Sequence, residues 1–160
     1  MQTSKILQLV SLFMLLAILA TSCVSDVNGS KKYPTDYSVG QVYRLRQPVF
    51  SDEFFLLPLN GRGGIPKSVE EYKAKGQTFW STYYHNSCLL EAGTRLQIKR
   101  VELEKNPEMG NIVYVRVEVL DGDFKGRITE LNFISKDFYQ RKPSATIYTV
   151  NTNFLERIGN

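Results

Sequence analysis

A succession of short β-type runs is the feature that most limits how this chain folds. From residue 40 onward, Val, Ile, Thr, Tyr and Phe recur in runs that are separated by Gly, Pro, Asn or Asp. β-Branched and aromatic side chains favour extended backbone, and punctuated runs of this kind are typical of strands. We therefore predict a mainly β fold, a small antiparallel barrel or sandwich, with one short helix. The predicted strands are 41–46, 53–59, 78–85, 94–104, 112–120, 124–134 and 145–150.

Residue counts restrict the class of protein. Apolar residues make up 42% and charged residues 22% of the 160 residues, as in soluble globular domains. These fractions exclude long disorder, collagen-like repeats and a polytopic membrane protein. Two cysteines are too few for a disulfide scaffold, and the single histidine, His85, excludes a zinc site with two imidazole ligands. We predict no metal site, no cofactor and no catalytic residue set.

Two local patterns predict details of the fold. Ser68 and Glu71 form a Ser-x-x-Glu capping box before a helix over Val69–Lys75, and Gly76 is a suitable helix end. In the strand 94–104 the apolar alternation shifts phase after Ile98, which predicts a β-bulge near Lys99.

Asp121-Gly122 predicts a β-hairpin with a two-residue type I′ turn. In that register Val119 faces Phe124, and Arg116 lies opposite Arg127. Because like charges in direct opposition are unfavourable, an anionic partner would relieve them. Arg116 and Arg127 are therefore candidate binding residues, with neutralisation by nearby glutamates on a solvated face as the alternative.

The first 23 residues have the pattern of an export signal. A mostly apolar run over 6–20 is too short to span a bilayer and follows a short segment with one positive charge. Leu19-Ala20-Thr21-Ser22-Cys23 resembles the lipobox of bacterial membrane lipoproteins, in which the cysteine is acylated and the signal is cut before it. The resemblance implies a lipid on Cys23, and Val24 after it implies the outer membrane, facing the periplasm. Alternatively, 20–22 is an ordinary secretory cleavage site, which leaves Cys23 free to pair with Cys88.

The predicted organisation has three parts. Residues 1–22 form the signal peptide, residues 23–38 form the lipidated cysteine and a flexible tether rich in Ser, Asn, Asp, Gly and Pro, and residues 39–160 form the β-rich domain. The segment 90–98, followed by a strand, a glycine turn and Gly126, resembles bacterial Src-homology-3-like barrels. That resemblance implies a binding module of the cell envelope more than an enzyme.

The aromatic run 79–84 is the second candidate binding feature. On a strand, Trp80 and Tyr84 share one face and Phe79 and Tyr83 the other. One face packs in the core, and the other is a candidate platform for glycan rings or a partner protein. We single out Trp80 and Tyr84, with plain core packing as the alternative.

The remaining motifs carry little chemistry. Cys88 lies three residues after His85, a spacing that points the two side chains to opposite faces of a strand. The loop 61–68 resembles a phosphate-binding loop, but Pro66 replaces its second glycine.

These observations favour a lipid-anchored, non-enzymatic binding or assembly module of the bacterial envelope. Its candidate partners are the membrane, peptidoglycan, lipid headgroups or another envelope protein. The net charge of +4 is too small to indicate nucleic acid. The alternative is an envelope hydrolase that uses carboxylate or Cys88 chemistry.

Overall fold

The computed structural model describes residues 24–106, 110–141 and 144–159. Within these residues the fold is mainly β, as predicted, and has two short helices where the sequence predicts one. No helix in the described part of the chain is both long and apolar enough to cross a bilayer. The strands are β1 (Val24–Asp26), β2 (Val42–Leu45), β3 (Val49–Ser51), β4 (Leu56–Pro58), β5 (Cys88–Leu90), β6 (Arg95–Asn106), β7 (Gly110–Val119), β8 (Ile128–Glu130), β9 (Lys136–Arg141), β10 (Ser144–Thr149) and β11 (Leu155–Ile158); the helices are α1 (Val69–Lys75) and α2 (Gln77–Tyr83), and a 3₁₀ turn covers Asn132–Ile134.

A long antiparallel hairpin, β6–β7, organises the large sheet. The strand order is β11-β2-β6-β7-β10-β9, with β1 also paired to β6 and β8 also paired to β7. Each outer edge of the hairpin is therefore shared by two strands, one near each end. The sheet is not closed into a barrel. Of the two predicted architectures, the sandwich is therefore the one observed.

The predicted β-bulge in β6 is confirmed. Ile98 pairs with Val117 and Arg100 pairs with Arg116, so Lys99 is an extra residue between two rungs of the ladder. The bulge keeps the apolar residues of β6 on the buried face on both sides of the phase shift. That face is completed by four valines of β7 with no exposed surface: Val113, Val115, Val117 and Val119.

The predicted two-residue turn at Asp121-Gly122 is wrong. The chain instead makes two successive turns, in which Lys125 N–H donates to the Gly122 carbonyl and Arg127 N–H to the Phe124 carbonyl. Asp121 is drawn away because its carboxylate binds Arg95, with Arg95 Nη2 2.7 Å from Asp121 Oδ1.

The longer loop shifts the register of the following strand by three residues. Arg116 lies opposite Glu130 rather than Arg127, and Glu118 lies opposite Ile128. This register puts opposite charges across the ladder in place of two arginines, which favours it over the predicted one.

A second, three-stranded sheet divides the interior into two cores. Its order is β4-β3-β5. Val49 of β3 lies in the main core with the large sheet, whereas the next residue, Phe50, lies in a second core with the helices. Cys88 and Leu89 of β5 divide in the same way. The small sheet is thus covered on both faces. Successive residues of its strands are therefore apolar, rather than alternating between apolar and polar.

Residues 24–38 differ from the flexible tether that the composition predicts. Val24–Asp26 pair with β6, and Val27, Tyr33 and Tyr37 are buried in the main core. Tyr37 has no exposed surface, and its hydroxyl lies 2.8 Å from Ser135 Oγ. Three apolar side chains among polar neighbours are enough to hold the segment on the domain.

Candidate functional site

The two helices follow directly from local sequence signals. α1 spans the predicted residues, and Ser68 Oγ accepts a hydrogen bond from Glu71 N–H at 3.2 Å, which confirms the cap. Gly76, at φ +76°, ends α1 and begins α2. Residues 78–85, predicted as a strand, lie mostly in α2 because this glycine lets the chain start a second helix immediately.

Trp80 and Tyr84 meet in the second core. The indole of Trp80 stacks on Tyr72 at 6.2 Å between ring centroids, and its Nε1 donates to the Tyr72 carbonyl at 3.2 Å. Tyr84 packs its ring 5.3 Å from Phe50 and donates its hydroxyl to the Gly63 carbonyl. Trp80 is only 3% exposed. The structure therefore brings these two candidates together, with Trp80 as a core residue and Tyr84 half-buried against it.

The other face of α2 borders an open groove of about 380 Å³. Phe79 and Tyr83 lie there with 38% and 66% of their surface exposed, and their ring centroids are 5.3 Å apart. Trp80 contributes an edge to the groove. The residues that line it are Gly61, Gly64, Ile65, Lys67, Glu71, Lys75, Phe79, Trp80 and Tyr83.

Charged side chains of α1 frame the aromatic rings of this groove. Lys75 Nζ lies 2.9 Å from Glu71 Oε1 and 5.0 Å from the ring centroids of Phe79 and Trp80. Glu71 Oε2 accepts a hydrogen bond from Lys67 N–H at 2.8 Å. That backbone bond, followed by the one from Lys75, holds the pKa of Glu71 below its usual value.

The electrostatics of the groove favour an anionic ligand with an apolar ring face. Both oxygens of Glu71 are already engaged, so the carboxylate is balanced within the protein. Because Lys75 is the partner of Glu71, the three charged lining residues Lys67, Glu71 and Lys75 leave the groove with one net positive charge next to two exposed aromatic rings. Aromatic rings and ammonium groups of this kind can orient such a ligand.

Arg116 lies on the solvent-facing side of the large sheet, apart from the groove. Its Nε is 3.3 Å from Glu102 Oε2 and 3.4 Å from Glu130 Oε1. Burial raises the pKa of Glu130, an effect that Arg116 partly offsets. The glutamates neutralise the arginine, which is the alternative the sequence left open. They are also two close carboxylates, the feature that the hydrolase alternative requires.

Arg127 lies apart from both the groove and Arg116, next to Cys88 of the small sheet. Its Nη1 donates to Cys88 Sγ at 3.2 Å, and its guanidinium lies 5.2 Å from the Phe124 ring centroid. The shifted register of β8 is the reason that Arg127 does not face Arg116. The four candidate binding residues therefore do not form one site.

Cys88 and His85 are not a catalytic pair. Cys88 is fully buried, and burial raises the pKa of its thiol even though Arg127 opposes the shift. His85 lies in an exposed turn after α2. Cys23, the predicted lipidation site, lies outside the described residues. Among the residues that the structure describes, no group of three or more acidic, histidine or cysteine side chains is arranged to hold a metal ion.

The functional candidates that sequence reasoning missed are Phe79, Tyr83, Lys67 and Lys75. The sequence does indicate that Phe79 and Tyr83 share a face, because residues four apart lie on the same face of a helix as they do of a strand. Nothing in the sequence places the lysines beside them, since that depends on how α1 packs against α2. Comparisons with protein-family models, curated proteins and solved structures find no match to this chain.

Proposed function

We propose that this protein is a lipid-anchored binding module of the bacterial envelope, and that the groove beside α2 binds a carboxylate-bearing glycan, the chemistry of peptidoglycan strands. The exposed pair Phe79 and Tyr83 next to Lys67 and Lys75 is the observation that carries the ligand assignment. Pyranose rings have an apolar C–H face that packs on aromatic rings, and a carboxylate complements the net positive charge that Lys67 gives the groove. The lipobox pattern ending at Cys23 supports the anchor.

The groove has the dimensions of a ligand site rather than of a protein–protein interface. Its volume of about 380 Å³ lies within the range of small-molecule clefts, roughly 300–1,000 Å³. A glycan strand needs an open groove because its neighbouring sugars must extend beyond the site. The cleft between Gly61, Gly64 and α2 provides such an opening.

Co-sedimentation of the full chain with purified peptidoglycan sacculi tests this proposal. We expect Phe79→Ala/Tyr83→Ala to abolish co-sedimentation, because it removes the exposed ring faces. Phe79 also contacts Trp80 edge to face at 5.1 Å between ring centroids, so Trp80 fluorescence of the variant is used to check that the second core is intact. Phe54→Ala is the matched control, since Phe54 is 60% exposed and lies outside the groove. Equal recovery of the double variant and the wild type would reject the glycan assignment.

The anchor has its own test. Cys23→Ala is expected to abolish metabolic labelling with a radioactive fatty acid and to release the protein from the membrane fraction. Unchanged labelling and fractionation would reject the lipoprotein assignment.

The hydrolase alternative rests on Glu102 and Glu130, which both contact Arg116. Release of soluble fragments from the same sacculi, lost in Glu130→Gln, would replace the binding proposal with an enzymatic one.

A further inference from the structure

The position of β1 fixes where a lipid on Cys23 would sit on the domain. Val24, the next residue, pairs with Glu104 of β6, and Asp26 pairs with Glu102. Val27 N–H continues this contact by donating to the Val101 carbonyl at 2.9 Å. No free chain therefore separates residue 23 from the sheet, and the lipid must emerge at the end of β6 where the β6–β7 hairpin turns back.

The same end of the molecule gathers cationic side chains from three segments. Lys105 of β6 pairs with Asn111 of β7, and Asn111 Nδ2 donates to the Ser144 carbonyl at 2.8 Å, which joins this end to the β9–β10 pair. Gln140 Nε2 donates to the Lys32 carbonyl at 3.1 Å and so holds the N-terminal segment there. We call this surface the basic end; its exposed cations are Lys31, Lys32, Lys105 and Arg141.

The charge of the basic end complements phospholipid headgroups. The β1–β6 ladder carries three acidic residues, Glu104, Asp26 and Glu102. Glu102 already contacts Arg100 and Arg116, so the four exposed cations of the basic end face only the exposed Asp26 and the half-buried Glu104 and leave a net positive charge. A lipid chain together with a cationic patch is a combination that gives stable attachment to anionic bilayers.

We propose that the basic end docks on the anionic phospholipid surface, so that the domain stands on the membrane in one fixed orientation. This inference rests on the proposed lipidation of Cys23. β6 has 12 residues and extends by about 3.3 Å per residue, so its two ends lie up to roughly 40 Å apart. β5 leads into β6 at Arg95, the far end, and Lys73 Nζ of α1 lies 3.5 Å from Glu91 Oε1, so α1 and the groove lie toward the end of β6 that is away from the bilayer.

Two exposed tyrosines provide matched reporter positions for this orientation. Tyr139 is 62% exposed and pairs with Thr146, which pairs with Ile112 one rung from Lys105. Tyr83 is 66% exposed and lies at the groove. Full-length lipidated Tyr139→Cys and Tyr83→Cys variants, each labelled with a fluorophore, are reconstituted in vesicles whose headgroups carry a spin-label quencher. The buried Cys88 does not compete for the label.

On vesicles of phosphatidylcholine with phosphatidylglycerol, we expect quenching of the label at position 139 and none at position 83. Equal quenching at both positions, with Cys23 shown by mass to be acylated, overturns the orientation but leaves the lipoprotein proposal intact. An unmodified Cys23 overturns both proposals.

The contribution of charge is tested separately. Replacing Lys31, Lys32, Lys105 and Arg141 by Gln is expected to reduce the quenching at position 139, because the lipid still attaches the domain but the charge no longer holds the basic end against the headgroups. Arg44, Arg46, Lys73 and Lys125 replaced by Gln form the control, because these exposed cations lie elsewhere. Each cation near an anionic leaflet changes binding by about fivefold, so an unaffected quadruple variant would overturn the assignment of the surface.

Discussion

The contact between Cys88 and Arg127 shows how burial can keep a thiol unreactive even beside an arginine. The thiol is fully buried between the small sheet and the main core, and the guanidinium Nη1 donates to its sulfur at 3.2 Å. An arginine beside a thiol ordinarily promotes the thiolate, but here burial is the larger effect and the pKa of Cys88 is raised. The group is therefore a core residue rather than a nucleophile.

We expect Cys88 to resist thiol reagents in the folded protein and to react completely once the protein is unfolded. The reason is that the reagent needs an accessible thiolate, and burial denies both access and ionisation. The measurement is the rate of modification at pH 8 with and without denaturant, with an exposed cysteine in Tyr83→Cys as the control. Equal rates for the two cysteines in the native protein would contradict the buried position.

The aromatic run shows what sequence reasoning can resolve at single positions. Trp80 and Tyr84 were grouped correctly even though α2 is a helix and the prediction was a strand, because a spacing of four preserves a face in both. Which face is buried could not be predicted. That choice depends on Phe50 and Tyr72, which reach the same core from β3 and α1.

Among the elements, α1 is the one whose ends are most directly encoded. Ser68 caps its first turn, the Glu71 carboxylate accepts from the N–H of Lys67, the residue before the cap, and Gly76 ends it. The helix has only seven residues, too few to be stable in isolation. Its cap and the burial of Tyr72 therefore hold it in place and keep Lys67 and Lys75 at the groove.

Ser68→Ala is expected to lower the free energy of unfolding by about 1 kcal/mol, the usual contribution of a side-chain N-cap. Denaturant unfolding followed by tryptophan fluorescence is a suitable measurement, since Trp80 packs directly on α1 through Tyr72. Ser68→Thr keeps the hydroxyl and is the control. A loss of equal size in both variants would show that the cap hydrogen bond is not the source.

The strands were less uniformly predictable than this helix. The bulge at Lys99 follows from a change of phase within one strand, so the sequence contains all the information needed. The turn after β7 does not, because Asp121 binds Arg95, a residue 26 positions away in the chain. Short edge strands such as β1 and β11 were missed for the same reason: they are strands only because β6 and β2 pair with them.

For the molecule as a whole, the N-terminal segment is the largest departure from expectation. Composition alone makes residues 24–38 a linker. The position of its aromatic residues matters more than its average polarity, because Tyr33 and Tyr37 enter the main core and Thr35 Oγ1 donates to the Tyr148 carbonyl at 2.7 Å. The segment connects β1 to the opposite side of the domain and completes the core.

Tyr37→Ala is expected to destabilise the domain by about 3–5 kcal/mol, as for other large aromatic residues removed from cores. Tyr37→Phe is expected to cost about 1 kcal/mol, since only the hydrogen bonds of the hydroxyl are lost. Both values are measured by denaturant unfolding. Val39→Ala is the control, because Val39 lies two residues after Tyr37 and its side chain is exposed. A negligible effect of Tyr37→Ala would restore the linker interpretation.

The pairing of β1 with β6 also has a mechanical consequence. In a chain held by a lipid at residue 23 and by a wall polymer in the groove, tension enters at Val24 and runs along the strand axis. The three registered pairs of β1 and β6 are then loaded together in shear, rather than opened one after another. The strength of the β1–β6 pairing then sets the force that the connection between membrane and wall withstands.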